Sequence, residues 1–262
     1  MLRVVVRRLV GRCIIPNSMR LIVAKRRLRR DAMTLRRLLR AEASVAERVQ
    51  MACQHRSLRS NQKPSEIERL LKEIQNLTPA TICEIGAAGG GTFALFASVA
   101  APRARLLSID ICYPQSRSRI YQLLAQPATR VTCLEGDSHE IETLERVKRW
   151  LGHASFDFLF IDGDHTYEGV KQDYEMYAPL VRDGGIIALH DIVPDFRTRH
   201  GIETRSNVGE VPRFWRELRL GLDNTLTKEL IEDPEQDGFG IGVIRQRPCG
   251  LRSSGRGRRD RD

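Results

Sequence analysis

Two apolar runs that stop abruptly at ionisable residues constrain this chain most: FDFLFID (156–162), which runs on into GDHTYEGVKQDY, and GIIALHD (185–191). Short runs of Ile, Leu, Phe and Ala bounded by Gly and Asp predict strands buried on both faces. TICEIG (81–86), ARLLSID (104–110) and RVTCLEG (130–136) repeat the pattern, with helix-compatible segments at 90–100, 115–126, 138–151 and 166–182 between them. Strands alternating with helices predict an α/β fold with a parallel, doubly wound sheet and right-handed crossovers. Ligands of such sheets bind just beyond the carboxyl ends of the strands. Asp162, Asp164, His165, His190 and Asp191 are therefore expected at one rim.

On either side of this pattern the sequence changes character. Residues 42–77 read as helical, most clearly SEIERLLKEIQNL (65–77), where Ile67, Leu70, Leu71, Ile74 and Leu77 recur at helical spacing. The stretch 194–210 is polar with few apolar anchors, a candidate lid or substrate loop. TLTKELIED (225–233) and FGIGVIRQ (239–246) flank the turn signal PEQDG and predict a closing antiparallel hairpin. Three segments follow: a basic helical extension over 1–60, a globular domain over 61–247, and a disordered basic tail over 248–262.

The net charge of +10 suggests nucleic acid until it is divided along the chain. Residues 1–60 carry 16 Lys and Arg against 3 Asp and Glu, and 245–262 carry 7 against 2, while 61–244 hold 20 against 28. The globular part is acidic, which argues against nucleic acid as its partner. Arg clusters alternate with Leu, Ile and Val over 19–40, as in a basic amphipathic helix that could lie on anionic lipid. No stretch reaches the roughly 20 apolar residues of a membrane span, and Arg7, Arg8 and Arg12 break any signal-peptide core. Six cysteines without metal spacing fit a reducing compartment. The expected location is cytoplasmic, with peripheral contact at the inner membrane face through the basic segment.

CEIGAAGGGTFALF (83–96) is a strand, a glycine-rich turn and a helix start. Gly86, Gly90 and Gly91 lack a Cβ and let backbone amides approach a ligand at the helix N-terminus. The dinucleotide fingerprint is absent, because Ala88 stands where it requires glycine. Asp110 ends the second strand, where a carboxylate can accept from ribose hydroxyls, and Asp137 with Ser138 ends the third, near an adenine edge. Glu84 inside the first strand needs a hydrogen-bonding partner.

The ordered set EIGAAGGGT, LLSIDI, EGDSHE, FIDGDHTYEGVKQDY, GGIIALHDI and VPRFW resembles class I S-adenosylmethionine-dependent methyltransferases, and within them the branch of cephalosporin-hydroxylase-like and sugar or macrolide O-methyltransferases. The resemblance spans about 78–246. It implies a Rossmann-like seven-stranded sheet with the last strand antiparallel. It also implies that Glu84 and the Gly86, Gly90, Gly91 turn serve the methionine part of the cofactor, Asp110 its ribose, and Asp137 with Ser138 its adenine, with Asp162 at the cofactor's edge.

Methyl transfer to a neutral hydroxyl needs a base, or a metal that lowers the hydroxyl pKa. The resemblance implies a divalent metal, magnesium or manganese, on Asp162, His190 and Asp191, although His190 stands where relatives carry an acid or amide. Nitrogen suits manganese, iron, nickel or zinc better than magnesium. His165 matches the position of a proposed base, with Asp162 beside it; the alternative makes its ring an orienting group for the next helix. The expected activity is O-methylation of a small hydroxyl acceptor such as a sugar or glycan precursor. The competing expectations are a nucleotide-cofactor oxidoreductase and a non-catalytic module whose basic tails contact nucleic acid or membrane; an oligomer fits any of these.

Overall fold

The computed structural model of the chain describes residues 42–55, 59–113 and 129–246, together with Arg30, Met33, Thr34, Arg37 and Leu38. The expected helix at 115–126, most of the basic extension and the tail lie outside the described residues. Helices α1 (Val45–Gln54) and α2 (Pro64–Leu77) precede the sheet. Then come β1 (Thr81–Ile85), α3 (Gly91–Val99), β2 (Arg105–Asp110), β3 (Arg130–Glu135), α4 (Ile141–Leu151), β4 (Phe156–Ile161), α5 (Tyr167–Tyr177) and β5 (Val181–His190). A short α6 (Phe196–His200), α7 (Val211–Leu220), β6 (Thr227–Leu230) and β7 (Ile241–Arg245) complete the domain.

The seven strands run in the order β3-β2-β1-β4-β5-β7-β6. β1 through β5 pair in parallel, and β7 lies antiparallel between β5 and β6. Alternation along each central strand sends Phe158, Phe160 and Ile186 to the face covered by Ile67, Leu70 and Phe96. The intervening Leu159, Ile161 and Ile187 go to the face covered by Val147, Tyr177 and Trp215. Both faces are buried, so the strands read as continuous apolar runs rather than alternating ones.

Three sequence expectations change. The helical region 42–77 breaks in two, because Pro64 cannot continue a helix and instead starts α2 at its first position. α1 starts at a capping box, in which Ser44 Oγ accepts from Glu47 N and the Glu47 carboxylate accepts from Ser44 N. The fifth strand begins at Val181, four residues early, with Gly184 and Gly185 inside it and a register irregularity opposite Phe156 and Phe158. Finally, 194–210 is pinned rather than free. Asp195 caps α6 by accepting from Thr198 N, Phe196 N donates to Asp237, and Val208 is fully buried.

Glu66, fully buried near the start of α2, holds the turn between β6 and β7. Its Oε1 accepts from Glu232 N (3.1 Å) and Gln236 Nε2 (2.7 Å), and its Oε2 from Gly240 N (2.9 Å). Alanine there strips the acceptor from the buried Gly240 N and from Glu232 N, and leaves Gln236 Nε2 only the Gly238 carbonyl, so Glu66→Ala should cost about 3 kcal/mol. For a domain of this size that is a drop of roughly 6–12 °C in Tm. A Tm within about 2 °C of the parent would show that water satisfies those donors instead.

Candidate active site

The glycine turn after β1 is shaped by contact with β4. Gly86 has φ +87°, and a Cβ on it would lie 2.0 Å from the Asp162 carbonyl oxygen. Only glycine permits that approach, which draws the ends of β1 and β4 together. Ala88 also adopts a positive φ, +36°, where the dinucleotide fingerprint would place glycine. Gly90, at φ +83°, caps α3. Asp110 clamps the turn from β2: its Oδ2 accepts from Ala87 N (3.0 Å) and its Oδ1 from Cys112 N (3.1 Å).

A cavity of about 490 Å³ opens beyond these strand ends, lined among others by Gly86, Asp110, Asp137, Ser138, His139 and Asp162. That volume suits a nucleoside-sized ligand. Glu84, Gly90 and Gly91 are not in its lining. Glu84 is buried within β1, 3.5 Å from the Ser108 hydroxyl, and Gly91 is buried as the first residue of α3.

Next to the cavity four side chains converge. Asp162 Oδ1 lies 3.2 Å from His190 Nδ1 and 3.4 Å from His165 Nε2. Asp191 approaches the same imidazoles, Oδ1 at 3.4 Å from His190 Nδ1 and Oδ2 at 3.7 Å from His165 Nε2. Asp191 sits in left-handed backbone at φ +61°, a strained conformation of the kind found where a fold fixes a functional group. His165 is held from its other side, with Nδ1 2.5 Å from the Asn207 carbonyl. A carbonyl only accepts, so Nδ1 carries a proton and Nε2 is the nitrogen that gains or loses one.

The electrostatics follow from this packing. The hydrogen bond to Asp162 raises His165 to about 9, against the effect of its burial. Burial opposes charge on His190 as well, yet Asp162 and Asp191 hold it above its usual value. Burial would push Asp162 up, but His190 and His165 hold it well below the usual carboxylate range. The acids thus favour the protonated imidazoles, and any cation seated on the carboxylates would favour loss of the imidazole protons.

One ligand atom each from Asp162, His165 and Asp191 lies within a 4.8 Å circle, a donor set that fits a divalent cation. The family resemblance implied His190, rather than His165, as the nitrogen ligand beside the two acids. Both histidines reach Asp162, but His190 is 5% exposed and packs its ring against Phe160 and Phe239, with Nε2 buried and unpartnered among the described residues. Thr166 caps α5 by accepting from Gly169 N, and Asp164, at the same rim, accepts from Thr166 N.

One residue of this group was invisible in the sequence. Gln62, in the break between α1 and α2, is buried and donates through Nε2 to Asp162 Oδ2 at 3.0 Å. Nearby, the Arg59 carbonyl covers the glycine turn, 2.6 Å from where a Gly89 Cβ would lie. Nothing in the local pattern of a polar segment signals a contact 100 residues away in the chain.

Comparison with known proteins fits this geometry. Residues 83–192 match the family described as a methyltransferase domain. The chain is 29% identical over 104 residues to mycinamicin VI 2''-O-methyltransferase of Micromonospora griseorubida, a match covering 40% of this chain and 23% of that protein. The chain thus aligns with about a quarter of the length of this curated relative. Among solved structures, an O-methyltransferase from Bacillus cereus in complex with SAH superposes with a TM-score of 0.53 at 16% identity, covering 85% of this chain and all of that one. The mycinamycin-pathway methyltransferase in complex with Mg, SAH and mycinamycin VI gives 0.52 at 17% identity, covering 79% of this chain and 56% of that one. At these identities the superpositions establish the shared fold.

Proposed function

We propose that this chain, whose residues 83–192 match a methyltransferase-domain family, moves the methyl group of S-adenosylmethionine to a hydroxyl of a small acceptor, a sugar or a related metabolite. One observation carries this: a nucleoside-sized cavity rimmed by Gly86, Asp110 and Asp137 meets, at Asp162, a cluster of acids and imidazoles. Asp110 would take the ribose hydroxyls, Asp137 and Ser138 the adenine edge, and the turn at Gly86 the methionine part. Gly90 and Gly91 start the helix behind that turn, and Glu84 lies in the strand before it. The sugar acceptor is suggested by the curated relative's name and no more than that.

In the transfer the carbon–sulfur bond breaks with its electron pair left on sulfur, and the acceptor oxygen supplies the new pair to carbon. The oxygen must lose its proton, and Nε2 of His165 is the base placed to receive it. Asp162 and Asp191 orient that nitrogen. A magnesium or manganese ion on Asp162 and Asp191, with His190, would lower the hydroxyl's pKa and leave Nε2 of His165 free to take the proton. No helix among the described residues is long and apolar enough to cross a membrane. Peripheral contact through residues 19–40 remains part of the proposal, as does a cytoplasmic site of action.

Calorimetry with S-adenosylhomocysteine, followed by methyl transfer to a panel of sugars with and without chelator, tests the assignment. Asp110→Ala should weaken the cofactor product roughly tenfold to a hundredfold, the worth of one or two hydrogen bonds to a charged acceptor. Absence of any binding by the parent protein would end the proposal, and turnover indifferent to chelator would remove the metal from it.

A further inference from the structure

Asp173, on α5, is fully buried and takes no part in the cluster described above. Its carboxylate lies beside the Ser138 hydroxyl and pairs with His139, whose Nε2 lies 3.3 Å from Oδ1. The same Nε2 lies 3.1 Å from the Gly169 carbonyl, which can only accept, so that nitrogen carries a proton. The other ring nitrogen lies 3.5 Å from Asp137 Oδ1, and the His139 backbone N–H donates to that oxygen at 2.9 Å. α5 grips the loop twice more: Tyr177 donates to the Ser138 carbonyl (2.8 Å) and Gln172 to that of His139 (3.1 Å).

We propose that His139 and Asp173 form a positioning pair that turns Asp137 so that its second carboxylate oxygen faces the exocyclic amine of the cofactor's adenine. This rests on the cofactor reading above. The His139 backbone amide, anchored against α5 by the ring's contacts with Asp173 and Gly169, occupies Oδ1 and leaves Oδ2 for the ligand. The pair therefore sets base specificity: an amine is welcomed where a carbonyl oxygen in the same place would repel Asp137.

Asp173 also gives the pair a pH dependence. Burial raises it to about 6, opposed by the nearby Ser138 hydroxyl and by His139. The titratable groups facing it are His139 and Asp137 after β3, Asp164 after β4, Cys83 of β1 and Tyr177 of its own helix. Asp137 and Asp164 favour its protonated form. As pH falls below that value Asp173 takes a proton and its charge on His139 disappears.

The test measures binding of S-adenosylhomocysteine and of its inosine analogue, which carries a carbonyl in place of the amine, by calorimetry at pH 7.5 and 5.5. The proteins are the parent chain, His139→Gln, Asp173→Asn and the double variant. His139→Gln and Asp173→Asn should each lose about tenfold in affinity for the adenine ligand and most of the preference over inosine, and the double variant should lose little more than either. The parent should bind more weakly at pH 5.5, whereas Asp173→Asn should bind alike at both. If Asp173→Asn does not fold, His139→Gln, on the solvent side of the pair, decides alone. Parental affinity and base preference in folded His139→Gln would overturn the inference while leaving the cofactor reading intact. A parent chain that binds neither ligand would end both.

Discussion

Replacing His165 by alanine should lower kcat by a factor on the order of 10² to 10⁴ while changing S-adenosylhomocysteine affinity by no more than a few-fold. The split follows from position. His165 Nε2 faces Asp162 and Asp191, whereas the cavity proposed for the cofactor is lined by Gly86, Asp110 and Asp137. The backbone of His165 keeps its work in the variant, since its carbonyl still accepts from Glu210 N (2.7 Å). A side chain that merely steadied α5 would instead show up in Tm with kcat preserved, and that outcome would reassign the residue. The raised pKa of His165, about 9, adds a second expectation. Without a cation on the two carboxylates the imidazole is protonated at neutral pH, so metal-free enzyme should gain activity as pH rises toward 9, where Nε2 begins to lose its proton.

Gly86→Ala should be the most damaging substitution outside that group. The new Cβ would sit 2.0 Å from the Asp162 carbonyl oxygen, 2.6 Å from its carbon and 2.9 Å from Gly163 N, all backbone atoms that cannot rotate away. The residue also holds φ +87°, which costs an L-residue about 1–2 kcal/mol by itself. Relief requires β1 and β4 to part at their ends, carrying Asp162 away from His190. We expect a loss of about 3 kcal/mol or more in stability and no measurable binding of S-adenosylhomocysteine. Urea unfolding and calorimetry on the same preparation separate the two effects. A stable variant with intact binding would mean that the turn tolerates a different path.

The parallel strands and their ends were legible because each is an apolar run closed by Gly or Asp, and both faces of the sheet demand such runs. The rim followed directly, since the carboxyl ends of β4 and β5 must carry Asp162 and the pair His190–Asp191. The hairpin closing the chain was visible in its turn signal. Other features were not legible for physical reasons. The Gly184–Gly185 pair concealed the true start of β5, because its first residues pair with β4 across an irregular register. α6 has only five residues, too few for any periodicity. Gln62 and the Asp173–His139 pair are contacts between distant segments, and a lone Gln or Asp carries no local sign of what it meets.

The placement of β7 bears on how the protein is made. A chain leaving the ribosome presents β1 through β5 in order, but the hydrogen-bonding edge of β5, the strand that ends in His190 and Asp191, stays open until residues 241–245 have emerged. β6 pairs with β7 and β7 with β5, so the hairpin closes that edge as a unit once residue 245 has emerged. Until then Ile186 through His190 offer an unpaired apolar edge of the sort that chaperones shield and nascent chains aggregate through.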